Sequence, residues 1–72
     1  MNIETAKEKV EQAFPKYSVK ESYSGVIADE DIFAFVISNG APNRVIAVYS
    51  DGDMNEINGP MASILINSLR RD

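Results

Sequence analysis

The hydrophobic positions fall into separate groups along the chain, and the spacing within each group predicts an element. Ile3, Ala6, Val10, Ala13 and Phe14 recur at intervals of three and four, which predicts an amphipathic helix over residues 2–14. Glu4, Lys7, Glu8, Lys9 and Glu11 fall largely on its other faces. Asn2 is placed to cap it, and Glu4 suits the positive end of its dipole. Pro15 ends it, because a proline pushes the residue before it out of the helical region.

From 17 to 28 the period changes to two. Tyr17, Val19, Tyr23 and Ile27 read as one face of a long strand, with Ser18, Lys20, Ser22 and Ser24 on the other. Glu21 and Gly25 interrupt the apolar set, which suggests a bulge or bend near Gly25. Asp29-Glu30-Asp31 reads as a polar turn.

The next two strands show no alternation. Ile32 to Ile37 is apolar at every position, as is Val45 to Tyr49. Such runs suit strands with apolar groups on both faces. Asn39-Gly40-Ala41-Pro42-Asn43 separates them as a turn, and Asp51-Gly52 closes the second. Residues 53–59 read as a polar loop. Pro60 then opens a final helix to about Leu69, with Asn58 or Gly59 as cap and Ser63, Asn67 and Arg70 on its wet side.

The expected fold is a single α+β domain over residues 1–72. It is a two-layer sandwich of helix, three-stranded antiparallel meander and helix, with both helices on one face of the sheet. That arrangement leaves one apolar sheet face uncovered. The outward set is either Phe33, Phe35 and Ile37 or Ile32, Ala34 and Val36 from the second strand. From the third it is Ile46 and Val48, or Val45, Ala47 and Tyr49. Phe33, Phe35, Ile37, Ile46 and Val48 are taken as the candidate partner-binding face, since exposed apolar patches mark interaction surfaces. Exposed strand edges offer a second route to a partner.

Charge adds a second candidate. The 72 residues carry eleven acidic and seven basic side chains, a net −4. That balance argues against nucleic acid and anionic membrane as partners. A meander brings Asp29, Glu30 and Asp31 to the same end as Asp51, Asp53 and Glu56, an acidic pole for a basic partner. Lys16, Arg44, Arg70 and Arg71 are expected at the opposite end.

Composition removes much catalytic chemistry. With no His and no Cys there is no Ser–His or Cys–His pair, and the common zinc ligand sets are absent. No glycine-rich phosphate loop is present, and no enzyme activity or cofactor is expected. Asp51, Asp53 and Asn55 follow the opening spacing of an EF-hand loop. Glu56 then stands where that loop needs glycine, and Ala62 where it needs its closing Glu, so they are only weak cation candidates. No basic-then-apolar leader opens the chain, and no apolar run reaches membrane-spanning length, so a cytoplasmic protein is expected.

The leading expectation is a small non-catalytic protein-binding or regulatory module, self-associating as a homodimer or binding another protein. One alternative is an inhibitor blocking a basic site on a nucleic-acid-handling enzyme. Another is a domain that responds weakly to divalent cations. In size and layout the chain is similar to small bacterial and phage accessory proteins, including immunity proteins and inhibitors of host defence, an analogy that assigns no residue a role.

Overall fold

The computed structural model describes residues 1–40 and 42–72; Ala41, within the turn expected at 39–43, lies outside them. The elements run α1 (Ile3–Ala13), β1 (Ser18–Ile27), β2 (Glu30–Ser38), β3 (Arg44–Tyr49), β4 (Met54–Ile57), α2 (Pro60–Ser68) and β5 (Arg70–Arg71). The strands form one antiparallel sheet in the order β4-β3-β2-β1-β5. The fold is therefore α+β, with five strands among the described residues where three were expected.

Both extra strands lie at the sheet's edges. β4 arises within the expected polar loop and pairs Met54 with Val48 through to Ile57 with Val45. β5 is two arginines, paired with Tyr23 and Ser24 of β1 and extended by the Asp72 amide donating to the Ser22 carbonyl. An edge strand can be polar on both faces, so neither segment needs an apolar pattern.

α1 begins and ends where its sequence predicts. Asn2 Oδ1 accepts from the Thr5 amide at 2.8 Å, and the Phe14 amide closes on the Val10 carbonyl just before Pro15. Its buried side, Ala6 and Val10, packs on Phe33, Phe35 and Ile37 of β2 and Ile46 and Val48 of β3. These five were expected to be an open binding face. Instead each is at most 6% exposed, and together they are the main core. Burying a side chain of this size contributes roughly 1.5–3 kcal/mol, which favours core use over exposure.

α2 lies on the other face. Its Leu65 and Ile66, with Leu69 just after it, pack on Tyr23, Ala34, Val36 and Val45. Successive residues of β2 thus face different helices, which is why Ile32 to Ile37 lacks alternation. The helices flank the sheet as outer layers, rather than sharing one face.

The expected irregularity in β1 falls at Lys20, not near Gly25. Val19 pairs with Ile37 and Glu21 with Val36, so Lys20 is the extra residue of a bulge. The slip puts Tyr17 and Val19 against the α1 core and Tyr23 against the α2 core, dividing a set expected on one face. The β1–β2 connection is also tighter than expected. Ala28 and Asp29 alone form it, both with positive φ (52° and 64°), while Glu30 and Asp31 belong to β2. Among the described residues no helix is long and apolar enough to cross a membrane.

Candidate functional site: an apolar groove beside two acidic turns

α2 has the sequence Pro60-Met61-Ala62-Ser63-Ile64-Leu65-Ile66-Asn67-Ser68, nine residues without a charge. Gly59, at φ 63°, turns the chain into it, and Pro60 supplies its first helical residue. Gly25 lets the far end of α2 seat closely. A Cβ there would lie 2.8 Å from Leu69 Cδ2.

No residue of α2 is fully buried. Met61 and Ile64 remain 61% and 58% exposed. The stripe Met61, Ile64, Leu65 and Ser68 follows the one-face spacing of a helix and forms one wall of a groove of about 320 Å³. Ile27, Tyr49 and Ile57 from three strands form the remainder. The Tyr49 hydroxyl accepts from Asn55 Nδ2 at 3.3 Å.

Two residues of the groove, Ile27 and Tyr49, lead directly into turns. The chain passes from Ile27 into Asp29 and Glu30, and from Tyr49 into Asp51 and Asp53. Ser50 Oγ donates to Glu30 Oε1 at 3.0 Å and ties the turns together. The structure therefore brings Asp29, Glu30, Asp31, Asp51 and Asp53 to one end of the sheet. Asp31, paired with Val26, points to the α1 face along with Phe33, and borders a recess of about 340 Å³ that Arg70 also lines.

Glu56 does not join them. It stands opposite Ile46 and grips Arg44, with Arg44 Nε 2.8 Å from Oε2 and Nη2 2.7 Å from Oε1. Arg44 Nη1 also donates to the Tyr17 hydroxyl at 3.0 Å. Its guanidinium lies 5.0 Å from the centre of the Phe14 ring and 5.1 Å from that of Tyr17. The hydrogen bonds from Arg44 hold the Glu56 carboxyl below its ordinary range, and the same bonds raise the Arg44 guanidinium further. This cluster ties the end of α1 to β3 and β4. The expected basic pole is also not assembled, because Arg70 and Arg71 return along β1 to Ser24 and Tyr23.

The weak cation candidates are engaged elsewhere. Asp51 Oδ1 accepts the Asp53 amide at 3.0 Å, and the Asn55 side chain bonds Tyr49. Among the described residues no three carboxylates converge in a metal-holding geometry.

Sequence reasoning missed Ile27, Ile57, Met61 and Ile64 as surface residues, while Tyr49 belongs to one of the two outward sets it offered for the third strand. The signal was present in α2, whose apolar positions 61, 62, 64, 65 and 66 exceed what one buried face can hold. No family model, curated protein or solved structure matches this chain.

Proposed function

We propose that this chain is a small non-catalytic protein-binding module whose contact surface is the groove between α2 and the sheet. The observation that carries the reading is α2 itself, an uncharged helix with Met61 and Ile64 left mostly in water. Leaving such side chains exposed in one patch forgoes burial energy that a partner can recover. Methionine adds adaptability, because its unbranched thioether conforms to differently shaped neighbours. The non-catalytic part rests on composition, since the chain has neither His nor Cys.

The test is a photo-crosslinking residue placed at Met61 in the protein's native cells. Val26 is the matched control, because it is 65% exposed but points to the α1 face. Discrete protein adducts from position 61 that are absent from position 26 are expected. No adduct from 61, or the same adducts from both positions, would overturn the reading.

A further inference from the structure

We infer that the groove accepts a short amphipathic helix with Lys or Arg on its flank, contributed by a different protein. The inference rests on α2 being the binding surface and adds the chemistry of the occupant.

The shape limits the occupant. About 320 Å³ lies at the lower end of the roughly 300–1,000 Å³ range of binding pockets, so it holds a few anchoring side chains rather than a domain surface. Its walls are side chains of α2 and of the sheet face. The free main chain of the edge strand β4 points sideways out of the sheet, so strand addition would not fill the groove. Apolar anchors at helical spacing fill such a space directly.

Charge selects the flank. Asp29, Glu30, Asp51 and Asp53 lie at the turns next to two groove residues, Glu30 pairing with Ile27 and the Asp53 carbonyl accepting from the Tyr49 amide. None is in an ion pair, since Arg44–Glu56 is the only pair among the described residues. Lys9 reaches Gly52 from the α1 side without pairing with Asp51 or Asp53. A second copy of this chain fits poorly as occupant. Its own apolar stripe carries no cation, and an isologous pair would bring two carboxylate clusters and two charges of −4 together.

Two synthetic 14-residue helical peptides with the same leucine stripe test this, one flanked by lysines and one by glutamates. Each is titrated into the full chain by two-dimensional NMR at low and high salt. The lysine peptide should shift the amides of Tyr49, Ile57 and Ile64, with affinity falling about tenfold between 0.05 and 0.5 M salt as screening shortens the reach of the carboxylates. The Ile64→Ser variant should lose about tenfold in affinity, in line with a removed apolar anchor. The double variant Asp51→Asn/Asp53→Asn, which removes two of the four carboxylates, should lose about half of the salt dependence. The glutamate peptide should not bind.

Equal binding of both peptides would overturn the charge argument. Binding that survives Ile64→Ser and shifts only the turns would overturn the groove. A dimer of the chain itself, broken by Ile64→Ser, would make a second copy the occupant. Failure of both peptides while Met61 still crosslinks to a protein would sink this occupant and leave the binding surface standing. Failure of both together would sink both.

Discussion

Arg44 is held by more partners than any other charged side chain among the described residues. Two of its nitrogens meet Glu56, a third meets Tyr17, and two rings lie within about 5 Å of its guanidinium. The consequence for pH has a definite sign. A carboxyl held below its ordinary 4.5 stabilises the fold above that pH, and the contribution is lost as pH falls through the lowered value. The melting temperature of the native chain should therefore drop on acidification below about pH 4.5, and Glu56→Gln should flatten that part of the profile. Both groups are substantially solvated, so the change is a modest slope rather than collapse. An equal acid slope in the variant would assign the sensitivity to other carboxylates.

At the level of elements, the C-terminal unit of α2 and β5 is the lightly held part. Leu69 seats where Gly25 has no side chain, and β5 makes a two-residue ladder. Gly25→Ala places a methyl 2.8 Å from Leu69 Cδ2, the movable end of a side chain. A cost of about 1 kcal/mol is expected, at the lower end for overpacking, with faster amide exchange at Arg71 and Asp72. Unchanged exchange there would show that Leu69 does not anchor the unit.

The same elements show what was legible in the sequence. α1 was readable from its period, cap and proline, and α2 from Pro60. The apolar runs of β2 and β3 were readable as strands with apolar groups on both faces. That reading already required cover on two sides, yet placing both helices together left one side bare. β4 and β5 were not legible, because edge strands with polar residues on both faces leave no periodic trace. Lys20 was not legible as the bulge either. A one-residue slip leaves composition unchanged and moves every later side chain to the other face. The acidic turns were legible because a meander joins them by topology. Glu56 was misplaced because β4 carries it back along β3 to Arg44.

At the scale of the whole molecule, the sheet has two unequal coats. The α1 side holds Phe35, Ile37, Ile46, Val10 and Val48, all under 2% exposed, whereas α2 contributes no buried residue. Local opening follows such differences in burial. Native-state hydrogen exchange should show β2 and β3 amides opening only with global unfolding, and α2 amides opening at lower free energy. Equal protection across both would mean that α2 is as firmly fixed as the sheet.

The order β4-β3-β2-β1-β5 also has a meaning in time. The meander and α1 leave the ribosome before the segment that pairs with the middle of β1's outer edge, at Tyr23 and Ser24, and covers the Tyr23–Ala34–Val36 face. Until α2 and β5 arrive, the nascent chain offers an unpaired strand edge beside a bare apolar face, the combination that promotes chain-to-chain association. A segment without a single buried residue in α2 or β5 is therefore the one that guards the protein's synthesis.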